Sequence, residues 1–228
     1  MGRRYSHRAR HRSSALADRF TDLLTVPAST KQTQGLDELR HDIEFETTLR
    51  DHTLRFHSTW GLFSPREIDI GTHLLIDRIE VNSTDDCLDL GCGYGAIGLT
   101  LARLAPEGRT LLVDKDFVAV EYAEKNTRAN AIDNAEALLS NGLAQIPTDR
   151  EFDLVATNLP AKIGNELTTL IVADAWARLR PGGRLYLVTL SGMRKFIQRV
   201  IQQQCGTYEK VKQGGIYALH RAVKPPKS

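Results

Sequence analysis

Apolar and polar residues alternate singly in the run "HDIEFETTLRDHTLRFHSTWGLFSP", where Ile43, Phe45, Thr47 and Leu49 are separated by charged or polar neighbours. Leu54 and Phe56 repeat the alternation after "RDH". A period of two on either side of a short polar break predicts two strands in a hairpin. After Pro65 the spacing changes. In "REIDIGTHLLIDRIEV", Ile68, Leu75, Ile76 and Ile79 fall on one face of a helix.

From residue 86 onward, short apolar runs alternate with helical patterns. "CLDLG", "TLLVDKD", "AEALLS", "FDLVATN" and "GRLYLVT" read as strands, and "AIGLTLARLA", "FVAVEYAEKNTRAN", "ELTTLIVADAWARL" and "MRKFIQRVIQQQC" as helices. Pro106 and Gly108 stop the first of these helices, and Trp176 lies with Val172 and Leu179 on an apolar face, as a core residue. Such alternation predicts an α/β fold: a mainly parallel sheet with helices on both faces and right-handed crossovers. The final "YEKVKQGGIYALHRA" breaks the rhythm and predicts an antiparallel hairpin at the sheet edge, turning at Gly214 and Gly215.

Composition adds bounds. With 228 residues, 41% of them hydrophobic and 25% charged, the chain can bury one sizeable core. The expected organisation is a basic, unstructured tail over residues 1–33, a hairpin and helix extension over 34–84, a main domain over 85–223 and a tail over 224–228. A net charge of +2 is too mild to imply a nucleic-acid partner. The distribution is lopsided, however: Arg3, Arg4, Arg8, Arg10 and Arg12 precede the first acid, Asp18. Three readings of that start stay open, namely a solvated tail, a tether for RNA phosphates and an organelle transit peptide. Cys87, Cys92 and Cys205 have neither disulfide nor zinc spacing, so a reducing cytoplasmic setting is expected. His52, His57 and His73 show no ligand spacing, and no metal is expected. No apolar run reaches the roughly 18 residues of a membrane span, and the start lacks the apolar core of a secretory signal.

The chemistry concentrates in "CLDLGCGYGAIG". Its last six residues match the dinucleotide fingerprint G-x-G-x-x-G through Gly93, Gly95 and Gly98. The preceding residues change the reading. Asp89, at the end of its strand, is expected to face the space above the loop Gly91-Cys92-Gly93-Tyr94-Gly95. An acid there opposes a pyrophosphate and favours the sulfonium and ammonium of S-adenosylmethionine. Cys92 belongs to this cofactor loop as a small side chain packed in the turn, not as a nucleophile. Gly98 becomes a close-packing position of the next helix. Asp114 ends the second strand, where a carboxylate can accept the ribose hydroxyls. Lys115 adjoins it and Asp116 is the nearby alternative. Asn141, before Gly142, can meet the adenine edge or serve only as a turn residue.

"FDLVATNLPAKIG" runs from its strand straight into Asn158, Leu159 and Pro160. Methyl transfer from a sulfonium is an in-line displacement that chiefly needs the nucleophile held in place. The Asn158 side-chain oxygen and a nearby backbone carbonyl can accept the hydrogens of an exocyclic amine and aim its lone pair, while Pro160 stiffens the loop.

Taken in order, "GLFSPREIDIGTHLLI", "DLGCGYGAIGL", "VDKD", "TNLPAKIGNE", "LRPGGRLYLV" and "GGIYAL" resemble the methyltransferase small-domain family of class I methyltransferases, over about residues 40–222. Its better-known members are ribosomal RNA guanine-N2 methyltransferases. The resemblance implies a Rossmann-like, seven-stranded sheet with the last strand antiparallel. It also implies S-adenosylmethionine on Asp89, the Gly91–Gly95 loop and Asp114, and a substrate amine at Asn158. Phe63, Ser64, Asp69, Gly71 and Thr72 match the family segment "FS…D.GT", a wall of the cofactor and substrate pocket, with Thr72 on the cofactor side. The sequence departs at one point. Where the family usually has Asn-Pro-Pro and then a bulky residue, this chain has Leu159 and Ala161. Base recognition then falls to Phe63 or Trp60, or the substrate is not a base. Lys162 keeps a cation suited to a phosphate, and Arg194 and Lys195 either line the substrate side or belong to a solvated face. Guanine-N2 members often carry a second, substrate-recognising domain, for which this length leaves no room. The expected activity is methylation of an amine nitrogen, foremost guanine N2 of a structured RNA. A small metabolite or protein side chain as substrate, and an RNA-binding factor without catalysis, remain the alternatives.

Overall fold

A computed structural model describes residues 42–160 and 162–226. The Arg-rich start and Ala161 lie outside the described residues, and so do the readings placed on them.

The first alternating runs form strands β1 (Ile43–Leu49) and β2 (His52–Ser58). They pair in register with Phe45 opposite Phe56. The tight turn uses Arg50 and Asp51, both at positive φ (48° and 67°), the backbone twist that matches a two-residue hairpin. The Arg50 guanidinium donates to the carbonyls of Ile76 and Ile79 at 3.0 and 2.9 Å, fastening the hairpin to the helix that follows.

That helix, α1 (Ile70–Arg78), is shorter than the apolar spacing suggests. Asp69 caps it, accepting from the N–H groups of Gly71 (2.8 Å) and Thr72 (3.0 Å), so Ile68 lies before the first turn. Ile79 is its C-cap residue. Both isoleucines are buried, and the expected face holds as a core surface though not wholly as helix.

Strands and helices then alternate: β3 (Cys87–Leu90), α2 (Ala96–Leu104), β4 (Thr110–Asp114), α3 (Phe117–Ala129), β5 (Ala135–Leu139), β6 (Phe152–Asn158), α4 (Asn165–Ala177), β7 (Leu179–Leu190) and α5 (Arg194–Cys205). The hairpin β8 (Glu209–Gly214) and β9 (Tyr217–Val223) closes the fold. Seven strands form one sheet in the order β5-β4-β3-β6-β7-β9-β8. Strands β3 to β7 run parallel, and the last strand, β9, is antiparallel to both neighbours. β7 begins earlier than "GRLYLVT" predicts, because Leu179 already pairs with Phe152 before an irregularity at Pro181-Gly182-Gly183. The first residue of the expected C-terminal tail is bound: the Lys224 ammonium donates to the Leu179 carbonyl at 2.6 Å.

Strand periodicity divides the core into two layers. Leu88, Leu111, Val113, Val155 and Leu185 pack with Val172 of α4 and Ile197 and Ile201 of α5. Cys87, Leu112, Leu154, Ala156 and Val188 face the other way, onto α1, α2, α3 and the N-terminal hairpin. Helices therefore cover both faces. No helix among the described residues is long and apolar enough to cross a membrane.

Strand β3 is flanked by β4 and β6, so chain order reverses beside it. In open α/β sheets the crevice at such a reversal is the ligand site. Asp89 is level with Leu112 and with Ala156. Asp114 and Asn158 thus sit two positions further along the adjacent strands, at one end of the sheet.

Candidate active site

The loop between β3 and α2 follows from its glycines. Gly91, Gly93 and Gly95 have φ of +78°, +54° and +95°, a region that side chains with a Cβ rarely adopt. A Cβ at Gly91 or Gly93 would meet no atom within 4 Å, so that side of the loop is open. Gly98 has a different role. A Cβ there would lie 2.4 Å from Leu112 Cγ, and the helix can approach the sheet only without it.

Hydrogen bonding decides what the loop can hold. The N–H groups of Gly91 and Cys92 donate to the Val113 carbonyl, that of Gly95 to the Cys92 carbonyl and that of Gly93 to Asp114 Oδ2. In the first turn of α2 the Gly98 N–H donates to Asp89 Oδ2 at 2.7 Å. A pyrophosphate needs free N–H groups and an uncompensated helix N-terminus. Here these donors are taken, two of them by carboxylates. The loop suits a ligand that brings cationic donors.

Asp89 corrects an expectation. Its carboxylate does not face the space above the loop; it is fully buried beneath it, where Gly98 leaves room for it. Oδ1 has no hydrogen-bond partner. Burial, with the nearby Asp114 charge adding to it and the Gly98 bond opposing it, pushes the carboxyl up to about 7. Its action on a ligand is therefore through charge close under the loop rather than through an exposed oxygen. Cys92 is likewise turned inward at 7% exposure, and only its backbone belongs to the loop surface.

Asp114 is half-buried and doubly held, Oδ2 by Gly93 and Oδ1 by the Asp116 N–H at 3.0 Å. Asp116 itself caps α3 by accepting from Val118. Lys115 and Asn141 are exposed, and Gly142 takes a positive φ of 60° in the turn after β5. The Ser140 N–H donates to the Asp114 carbonyl at 2.7 Å, which joins the ends of β4 and β5 on one side of the crevice.

The other side is built around Asn158. Its amide nitrogen donates to Asp69 Oδ2 at 2.8 Å and to Thr72 Oγ1 at 3.0 Å. Both amide hydrogens are thereby used, and a carboxylate partner fixes which end of the amide is the nitrogen. What remains for a substrate is the carbonyl oxygen, an acceptor. Asp69 is also the α1 cap, so one carboxylate orders the helix entry and orients the amide. Thr72 is placed on Asn158 by this bond.

Two of the expected catalytic residues separate here. Leu159 is a correction: its side chain is 5% exposed within the α4 and α5 core layer, and its N–H donates to the Val188 carbonyl. Only its carbonyl can serve a substrate. Pro160 and Lys162 are exposed. Ser64 uses its hydroxyl on the Glu67 carbonyl at 2.7 Å and builds a turn rather than offering a free donor, while Phe63 beside it is exposed. Arg194 sits where its charge is felt by Tyr208 and His220, on the α4 and α5 side of the sheet.

Two residues that join the halves escape sequence reasoning. The Tyr94 hydroxyl donates at 3.2 Å to the carbonyls of Ser64 and Glu67, tying the glycine loop to the segment that leads to Asp69. Buried Asn126 of α3 clasps His57 of β2 through both backbone groups and donates to the Tyr94 carbonyl at 2.9 Å. Neither has a local signature; an asparagine on the apolar side of a helix is the one hint. Asp42, Glu44 and His57 also converge, within 4.8 Å, because Glu44 is opposite His57 in the hairpin. The Lys125 ammonium already pairs with Asp42 there.

A family model described as "Methyltransferase small domain" matches residues 53–221. Ribosomal RNA large subunit methyltransferase G of Shewanella amazonensis is 30% identical over 180 residues, 76% of this chain and 46% of that protein. The uncharacterized protein YbxB of Bacillus subtilis is 33% identical over 61% of this chain and 70% of its own length. Among solved structures, the T. thermophilus 16S rRNA N2 G1207 methyltransferase (RsmC), in complex with AdoMet and guanosine, superposes with a TM-score of 0.73 at 28% identity. It covers 80% of this chain and 50% of its own. The chain thus spans about half the length of the methyltransferases it matches.

Proposed function

The chain belongs to the methyltransferase small-domain family of S-adenosylmethionine-dependent methyltransferases, and from that premise we propose that it methylates the exocyclic N2 amine of a guanine in ribosomal RNA. The observation that carries this reading is the Asn158 amide, locked by Asp69 and Thr72 with its carbonyl oxygen left as an acceptor. The named relatives and the guanosine-bound T. thermophilus enzyme support the choice of substrate.

The residues fit the cofactor. Gly91 and Gly93 leave space that a Cβ would fill, Asp89 keeps an unpartnered buried oxygen, and the donors an anion would need are occupied. Asp89 and the loop from Gly91 to Gly95 would hold the sulfonium and ammonium end, Asp114 the ribose, and Lys115, Asn141 and Gly142 the adenine side. Bound there, S-adenosylmethionine supplies an electrophilic methyl group on a positively charged sulfur. Asn158 Oδ1 accepts one amine hydrogen of the guanine, and the Asn158 or Leu159 carbonyl accepts the other. These acceptors draw the nitrogen lone pair out of the ring plane and take up the positive charge that grows on nitrogen as it gains the methyl carbon. Pro160 limits the loop's freedom, so the acceptors need little rearrangement at the moment of transfer. After transfer the surplus amine proton leaves to water.

The test is incubation of the whole chain with methyl-labelled S-adenosylmethionine and ribosomal RNA lacking N2-methylguanine. Label is expected in RNA and, after digestion, in N2-methylguanosine. Label found only in protein or small-molecule fractions contradicts the RNA assignment.

A further inference from the structure

Three large apolar side chains stand exposed on the segments that build the Asn158 side. Phe63 is 66% exposed, Ile70 70% and Ile216 65%. Each adjoins a residue that builds the site. Ile70 follows the Asp69 cap, Ile216 precedes Tyr217, whose ring packs on Gly71, and Phe63 precedes Ser64, which Tyr94 holds. Large apolar side chains gathered at a site and left to water mark a surface that a ligand covers.

Phe63 is not exposed through slackness. Its neighbour Leu62 is 8% exposed and bonded through its N–H to Thr59, and Ser64 is held at a φ of +47° by its own hydroxyl on Glu67 and by Tyr94. The turn that turns Leu62 into the core turns Phe63 out of it. The loop after Asn158 supplies no aromatic ring among the described residues, since Leu159 is in the core and Pro160 follows. Arg66, in the same segment as Phe63, lies with its guanidinium 4.5 Å over the Trp60 ring. A guanidinium stacked on indole has its face covered and its N–H edge available, the geometry that meets a phosphate.

We infer that Phe63 is the platform on which the target base stacks, and that Arg66, braced by Trp60, takes a phosphate of the same strand. This rests on the RNA reading above and assigns substrate recognition to the segment before α1 instead of the Asn158 loop. An aromatic platform with an adjacent cation is the arrangement that grips single-stranded nucleic acid.

The test uses the whole chain with S-adenosylmethionine bound and a single-stranded, guanosine-containing RNA oligonucleotide. F63A should weaken oligonucleotide binding and raise KM for RNA by about tenfold to a hundredfold, the loss of one stacked base. kcat at saturating RNA, cofactor affinity and melting temperature should hold. F63Y should restore binding and F63L should not, which separates stacking from simple bulk. R66A should lower the slope of log affinity against log salt by about one. The chain has two tryptophans, so in a W176F background the emission of Trp60 should change when the oligonucleotide binds. F63A with unchanged affinity and KM overturns the inference while leaving the methylation reading intact. Phe63-dependent binding with no label in any RNA does the reverse, and an oligonucleotide that binds neither the wild-type chain nor F63A also overturns the inference.

Discussion

The two sides of the crevice are built in opposite ways. The glycine loop is almost self-contained: its turns follow from Gly91, Gly93 and Gly95, and its acid, Asp89, bonds within the same strand–loop–helix unit. Asn158 instead depends on partners 89 and 86 residues away, Asp69 and Thr72. The glycine loop can bind a cofactor as soon as β3, α2 and the adjacent β4 are packed. The amide becomes an oriented acceptor only when α1 is in place against β6. Cofactor affinity and turnover should therefore respond to different variants.

The largest expected break in cofactor affinity is on the loop side. D89N keeps an acceptor for the Gly98 N–H but removes the buried charge close under the loop, and S-adenosylmethionine affinity should fall by about a hundredfold, the worth of about 3 kcal/mol of charge–charge attraction at partly screened range. Calorimetry checks this. Turnover at saturating cofactor should be nearly retained. On the other side, D69A frees the Asn158 amide and removes the α1 cap. It should lower kcat by about tenfold or more with little change in cofactor affinity, and lower stability by about 1 kcal/mol, the worth of a cap. G98A sharpens the comparison through packing: the added Cβ would crowd Leu112 and Asp89, and overpacking should destabilise by about 1–3 kcal/mol in urea melts.

The loop side also carries a pH dependence. The Asp89 carboxyl is raised to about 7 from an ordinary 3.8, chiefly by burial. An acid raised in this way contributes stability that is full below its ordinary value and is lost as pH rises through about 7. Without ligand, the protein should thus lose stability between mildly acidic and neutral pH. A cationic cofactor favours the ionised form, so affinity should climb over the same range and then level off. D89N should flatten both curves. Affinity independent of pH in the wild-type chain would remove Asp89 from cofactor binding.

The contrast also explains what the sequence discloses. Sheet, helices and both hairpins are legible because period-two runs such as Ile43–Leu49, short apolar runs such as Phe152–Asn158 and the glycine punctuation carry their own geometry. The same locality makes the glycine loop legible, and the shift from "GYGAIG" to "DLGCGYG" identifies the ligand class. The depth of Asp89 is not legible, because it depends on Gly98 clearing space against Leu112 on another strand. Leu159 reads as a catalytic-loop residue, yet strand β7 captures its backbone and the core takes its side chain. Tyr94 and Asn126 pass unnoticed since their partners are 27 to 69 residues distant. Asp69 is visible only as part of a family segment, and its second role requires the fold.

The most direct test is single-turnover methyl transfer by N158A at saturating S-adenosylmethionine, with cofactor affinity measured on the same preparation. Removing one preorganised acceptor should slow transfer by about a hundredfold to a thousandfold, while the cofactor dissociation constant stays at the wild-type value. Transfer at close to the wild-type rate, or loss of cofactor binding in step with the rate, would contradict the division of the crevice into a cofactor side and an Asn158 side.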